Sequence, residues 1–224
     1  MKPLLLYLVR HGAIATGGAK AFIGHTDVPL NREGILQARA AAKWLAPVAF
    51  SRTIASDLSR TRRTCEIIAG HRACTIETMP ALREIHLGDW EGASFHEIQS
   101  RFPEEFAARG RDIENWRPPH GESFADCGER VRKTLDEIVS GPGGNVLIVG
   151  HAGVNRLILC SALGIPVKEL LRIGQDYGCI NVIEFGCDGA CAHLVNYTPR
   201  LPLRHQDALS TETKPDYLPL ECCL

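Results

Sequence analysis

Two histidines in this 224-residue chain stand where apolar runs stop. The run at residues 4–9 ends in Arg10-His11-Gly12, and the run at residues 146–149 ends in Gly150-His151-Ala152-Gly153. Such runs read as strands, and the carboxyl ends of the strands are where an open α/β sheet binds its ligands. Either segment alone is a weak signal, because a histidine at a strand end is most often a hydrogen-bonded surface residue; the repetition points to one shared site. A third segment, Ser56-Asp57-Leu58-Ser59-Arg60-Thr61, follows a short strand at residues 52–56, so Arg60 falls in the first turn of a helix. Free backbone N–H groups and the helix dipole favour an anion there, and a guanidinium adds a planar fork of donors. Beside Arg62 and Arg63 it would otherwise read as a solvated helix face; grouped with two histidines it suits a phosphate. A fourth segment, residues 82–92, carries Glu84 in a strand-like or loop context.

These residues need a scaffold that delivers several strand ends to one edge. Strand-like runs at 4–9, 52–56 and 146–149 alternate with helix-like segments at 31–45, 58–69, 124–139 and 154–163. Alternation of this kind predicts an α/β fold of three layers, αβα, with a mostly parallel central sheet and helices on both faces. Ile35, Ala38, Ala42 and Leu45 recur at helical spacing, as do Val131, Leu135 and Ile138 behind a Ser123–Asp126 capping pair. Between about 87 and 121 the pattern loosens into Trp90, Phe95, Phe102, Phe106 and Trp116 and reads as a helical insertion over the site. The expected organisation is one domain over 1–197, followed by a Pro-rich extended or disordered tail at 198–224.

Composition narrows the partners. A formal net charge of -1 gives no bulk attraction to nucleic acid or to a membrane surface. The first apolar run is too short for a signal-peptide core or a bilayer span. Nine cysteines, odd in number and without a C-x-x-C pair, read as reduced thiols, so the expected compartment is the cytoplasm. No histidine or cysteine completes a zinc set around Cys187 and Cys191 or around Cys222 and Cys223, so no metal and no cofactor is expected. A homodimer is one assembly open to such a chain. Competing phosphate chemistries lack their residues: there is no D-x-D, C-x5-R or Walker loop, and His96-Glu97 continues as Ile98-Gln99-Ser100 rather than into H-E-x-x-H.

Arg10-His11-Gly12, the run Gly24-His25-Thr26-Asp27-Val28-Pro29-Leu30, Ser56 to Thr61, Leu82-Arg83-Glu84 with Gly88-Asp89-Trp90-Glu91-Gly92, Gly121-Glu122-Ser123 and Gly150-His151-Ala152-Gly153 stand in an informative order. Over about residues 4–185 the chain thereby resembles the histidine phosphatase (phosphoglycerate mutase-like) superfamily. The resemblance implies a metal-independent phosphomonoesterase that works through a phosphohistidine. His11 matches the nucleophile and Glu84 the proton donor. Arg10, Arg60 and His151 match the residues that clamp the phosphoryl oxygens, and Gly24, Glu122 and Ala152 are carried over as further substrate contacts. The implied partner is a small-molecule phosphate ester. The remaining histidines read as surface or loop residues, with His25, His86 and His120 in motif-bearing segments where contact with the substrate is also open.

Two departures and one likeness bear on the substrate. Relatives commonly read Arg-His-Gly-x-Thr-x-x-Asn, whereas Ile14 and Gly17 stand at the threonine and asparagine positions here, which leaves Thr16 or backbone N–H groups of the glycine loop to replace a polar phosphate contact. The insertion lacks the paired-arginine segment of cofactor-dependent mutases and holds only Arg101, Arg109, Arg111 and Arg117, which disfavours mutase activity. Leu87-Gly88-Asp89-Trp90-Glu91 and Gln175-Asp176-Tyr177-Gly178-Cys179 are similar to segments of the α-ribazole phosphatases of cobalamin assembly. The expected substrate is therefore α-ribazole 5'-phosphate, its flat base stacked by aromatic residues of 90–116. The alternatives are a broad-specificity sugar or nucleotide phosphatase, a phosphohistidine phosphatase, a phosphoglycerate mutase and, last, a non-catalytic phospho-ligand-binding protein, against which the joint presence of His11, Arg60, Glu84 and His151 argues.

Overall fold

The computed structural model describes residues 3–15, 21–70 and 75–201. Thr16, the departure at Gly17 and nearly all of the expected tail, from residue 202 onward, lie outside the described residues. Strand β1 (Leu4–Arg10) sits in the middle of a six-stranded sheet with β2 (Arg52–Ala55), β3 (Ile76–Thr78), β4 (Gly144–Gly150), β5 (Ile180–Gly186) and β6 (Gly189–Tyr197), in the order β3-β2-β4-β1-β5-β6. The pairs β3–β2, β2–β4 and β4–β1 are parallel, while β5 and β6 join antiparallel. The sheet is thus parallel where the site residues emerge and mixed overall, because β5 runs against β1; the tight turn from Gly186 to Gly189 then permits only an antiparallel β6 beside β5.

Period-two side-chain alternation makes the two faces. Leu4, Leu6 and Leu8 of β1, with Val146 and Ile148 of β4, point into a core shared with α5 (Phe124–Val139) and α6 (Ala152–Leu163). Val9, Leu147 and Val149 point the other way, toward residues of α1 (Arg32–Trp44) and α2 (Ser59–Ala69) such as Ala41, Cys65 and Ile68. Asn31 caps α1 through a 2.8 Å bond from the Gly34 N–H, and Ser123 with Asp126 forms a reciprocal capping box on α5. No helix among the described residues is long and apolar enough to cross a membrane.

The insertion holds α3 (Phe95–Arg101), started by a Ser94–Glu97 capping box, and α4 (Pro103–Arg111), started by Pro103. Its aromatic residues act differently from the stacking surface expected of them. Trp90 is 2% exposed and packs against Phe22, Phe106 and Trp116, with ring centroids 5.1, 6.5 and 4.6 Å away. Trp90 and Trp116 therefore fasten the insertion to the body. Phe22 stacks on Phe95 at 4.2 Å, and the bridge between Ala21 and Ser94 ties the same segment to the insertion, three residues ahead of Gly24.

Candidate active site

Register brings the two histidines together. Arg10 pairs with Gly150 across β1 and β4, and the His11 N–H donates to the Gly150 carbonyl at 3.1 Å, so His11 and His151 leave adjacent strands at one edge with ring centroids 5.2 Å apart. Gly12 allows the exit: a Cβ there would lie 2.3 Å from the Gly34 carbonyl oxygen, where the chain after β1 crosses the first turn of α1. β2 pairs with the other side of β4, and the Ser56 N–H donates to the Val149 carbonyl, which sets Ser56 and then Arg60 beside His151.

His11 is 4% exposed, and its Nδ1 lies 2.7 Å from the Gly12 carbonyl oxygen. A carbonyl can only accept, so Nδ1 carries the proton and Nε2 keeps its lone pair. Burial holds the imidazole pKa well below 6.5, and the Arg10 and Arg60 cations push it in the same direction against the pull of the Gly12 carbonyl. His151 is fully buried, with Nε2 at 2.8 Å from Ser56 Oγ and Nδ1 facing Arg60 Nε at 3.3 Å. An arginine nitrogen can only donate, so Nδ1 accepts and the Nε2 proton goes to the serine. Burial, then Arg60, His11 and Arg10, keep this ring neutral too.

Arg60 is 1% exposed, yet its bonds run to uncharged groups: Nη1 to the Thr26 carbonyl at 2.8 Å, Nη2 to the Gly24 carbonyl at 2.6 Å and Nε to His151. Burial pushes its pKa down, opposed by Glu84, Asp27 and Glu91 at longer range. Arg10 donates from Nη1 to the Gln175 carbonyl, lies 3.8 Å from the Tyr177 ring centroid, and keeps a buried Nε–H without a partner. Gln175 is held by Asn155 and Asn181 at 3.2 and 2.7 Å. Two guanidinium groups with neutral partners and an unused buried donor make a cluster complementary to an anion.

Glu84 is 9% exposed and follows a 3-10 turn at Pro80–Leu82. Its Oε1 accepts from the Ile85 N–H at 3.1 Å and its Oε2 from the Gly153 N–H, in the first turn of α6, at 3.0 Å. Gly153 leaves room for this carboxylate, since a Cβ would fall 2.4 Å from Glu84 Oε1 and push it aside. Of the other expected contacts, Gly24 offers Arg60 its carbonyl. Ala152 opens α6, half-buried, while its neighbour Gly153 meets Glu84. Glu122 has both carboxylate oxygens engaged, by Arg130 Nε and Nη2 at 2.8 Å each and by the His86 N–H at 2.9 Å. His25 is more than a loop residue, because its Nε2 lies 3.0 Å from the Glu84 carbonyl and its ring 4.7 Å from that of His86.

Reading by motif passed over Ser56 as an individual residue, Arg130, and Tyr177, whose ring lies 5.5 Å from His11 and stacks on Arg10. Tyr177 stood inside the Gln175–Cys179 run singled out from the sequence; Arg130 gave no local signal, as its partners are 8 to 49 positions away.

The model of the histidine phosphatase superfamily (branch 1) matches residues 6–198. The adenosylcobalamin/alpha-ribazole phosphatase of Salmonella typhimurium is 31% identical over 185 residues, covering 82% of this chain and 91% of that protein. A protein of Serratia proteamaculans named "Probable phosphoglycerate mutase GpmB" is 36% identical over 174 residues, covering 76% of this chain and 80% of its own. The crystal structure of the alpha-ribazole phosphatase from Shigella flexneri superposes with a TM-score of 0.80 at 28% identity, over 88% of this chain and 98% of that one. A family match along nearly the whole described fold accounts for the shared strand-end site: this chain belongs to the histidine phosphatase superfamily, branch 1, and is a hydrolase of the phosphatase type.

Proposed function

We propose that the chain hydrolyses small phosphate monoesters in the cytoplasm by way of a phosphohistidine on His11, and that its substrate is α-ribazole 5'-phosphate. The observation that carries the reading is the pairing of a neutral imidazole, its Nε2 lone pair free, with two arginines whose contacts are to uncharged groups. In the first step Nε2 attacks phosphorus in line, the P–O ester bond breaks, and the departing oxygen takes the proton of the Glu84 carboxylic acid. In the second step water attacks the phosphohistidine as Glu84 takes its proton, the N–P bond breaks, and phosphate leaves. Charge on the three equatorial oxygens is met by the spare Arg10 Nε–H and the Arg60 fork, already in place, and by His151 after a proton shift. His151 donates once Nδ1 carries a proton, and the Ser56 hydroxyl, able to accept from or donate to Nε2, accommodates both forms.

These donors supply the charge that a metal would otherwise bring, so turnover is expected to survive excess EDTA; loss on chelation with recovery on adding Mg2+ or Zn2+ would contradict the reading. The α-ribazole assignment draws on the named relatives and on the Gln175–Cys179 run beside Arg10. It is tested by phosphate release from α-ribazole 5'-phosphate, 3-phosphoglycerate, sugar phosphates and nucleotides in parallel. The expected result is the highest kcat/KM for α-ribazole 5'-phosphate and negligible mutase activity with 2,3-bisphosphoglycerate. A rank at or below the other compounds would remove this substrate and leave a general phosphatase.

A further inference from the structure

One half-buried cation outside the phosphate-facing group spends every donor it has on the loop that carries Glu84 or on Glu122, which grips the same loop. Arg130, on α5, donates from Nε to Glu122 Oε1 at 2.8 Å, from Nη1 to the carbonyls of Ala81 and Arg83 at 2.8 and 2.9 Å, and from Nη2 to the Glu84 carbonyl at 3.0 Å and Glu122 Oε2 at 2.8 Å. A guanidinium has five N–H groups, and these are five bonds. Three of them take main-chain carbonyls of the turn leading into and including Glu84, those of Ala81, Arg83 and Glu84. Glu122 closes the ring by accepting the His86 N–H at 2.9 Å, two residues beyond Glu84. The Glu84 carbonyl is held from a second side by His25 Nε2 at 3.0 Å. The loop is thus pinned before, at and after the residue whose carboxylate reaches the start of α6.

We infer that Arg130, locked by Glu122, is a positioning residue that holds the Glu84 carboxyl where it can protonate the leaving oxygen. The inference rests on the assignment of Glu84 as proton donor. A planar fork is the side chain this geometry calls for, since lysine has three donors on a single nitrogen and cannot span three carbonyls and a carboxylate together. Misplacement of a catalytic group by about 1 Å can cost on the order of a hundredfold in rate. The loss should not be uniform across substrates, because protonation matters most when the leaving oxygen is basic.

The test compares kcat/KM, which reports the phosphorylation step, for p-nitrophenyl phosphate and for 2-glycerol phosphate in the full-length chain. Glu84→Gln is measured first and should lose far more on 2-glycerol phosphate; equal losses there would overturn the acid role itself. Given that split, Arg130→Met is expected to lose about tenfold or more on 2-glycerol phosphate and to stay within about threefold on p-nitrophenyl phosphate. Arg130→Lys should fall between Arg130→Met and the parent, and Glu122→Gln should show a smaller split of the same sign. Thermal unfolding identifies a variant that fails to fold; if Arg130→Met does, the lysine and glutamine variants decide the question. Equal losses on both esters, or no loss in any variant, with the Glu84→Gln split intact, would overturn the positioning role and leave the proton donor in place.

Discussion

β1 and β4 lie side by side and end alike, in a histidine followed by one or two small residues, yet the two rings are prepared for opposite work. His11 turns its Nδ1 to a main-chain carbonyl, an obligate acceptor, and so frees the Nε2 lone pair. His151 turns its Nδ1 to an arginine, an obligate donor, and so has that lone pair occupied and its Nε2 proton on Ser56. Both rings are buried and both are held neutral, by the same causes in a similar order. Burial and charge therefore do not distinguish a nucleophile from an electrostatic partner here. The hydrogen-bond polarity of one neighbouring atom does.

The largest expected effect would reverse this contrast if it failed. His11→Gln should lower kcat by about 10⁴-fold or more, in line with loss of a nucleophile, and yield no acid-labile, base-stable phosphoenzyme after rapid quench. His151→Gln should still form that adduct while losing roughly 10²–10³ in kcat/KM, the scale for removing one group that stabilises the developing charge. An adduct retained by His11→Gln and lost by His151→Gln would exchange the two roles. Arg60→Lys sharpens the comparison, because lysine cannot give Nε to His151 while holding the Thr26 and Gly24 carbonyls; a loss of about 10²-fold in kcat/KM is expected, and near-parent activity would show that charge alone suffices.

Two smaller effects appear in stability. Ser56→Ala leaves the buried Nε2–H of His151 without its acceptor and should cost about 1–3 kcal/mol in urea unfolding. The pH dependence has a definite sign. Each histidine has a folded pKa well below its unfolded value of about 6.5, so the unfolded chain binds more protons in the window between them. The stabilisation is present above about pH 6.5 and is lost as pH falls toward the folded values, by up to about 1.4 kcal/mol per pH unit for each ring. His11→Gln should flatten the slope between pH 6.5 and 5 by one histidine's share. An unchanged slope would mean that His11 is not held neutral. In catalysis the same sign keeps His11 competent below pH 6.5.

Much of this was legible along the chain. The 16 residues of α5 carry their own boundary in Ser123 and Asp126 and their buried face in Val131, Leu135 and Ile138. β1 and β4 are apolar on both sides because helices cover both faces, so they read as continuous runs. β3 has three residues, and β6 is an edge strand of Ala190, Cys191 and Ala192 with one face in solvent, too short or too mild in pattern to register. The aromatic residues of the insertion were legible as a cluster but not as to direction: composition made Trp90 and Trp116 a surface for a ligand, whereas Trp90 packs inward against Phe22 and Phe106 and Trp116 packs on Trp90.

The sequence by itself determined which side chains stand at the strand ends and in the first turn of α2, because periodicity and capping are local and each is decided within a few residues. Only the tertiary structure decided which atom of each side chain remains available. The polarity of His151 is set by Ser56 and Arg60, 95 and 91 positions away, and the placement of Glu84 by Gly153 and Arg130, 69 and 46 positions away. A proton's position on an imidazole, and the aim of a carboxylate, depend on contacts within about 3 Å, and such contacts are made by chain folding rather than by chain order.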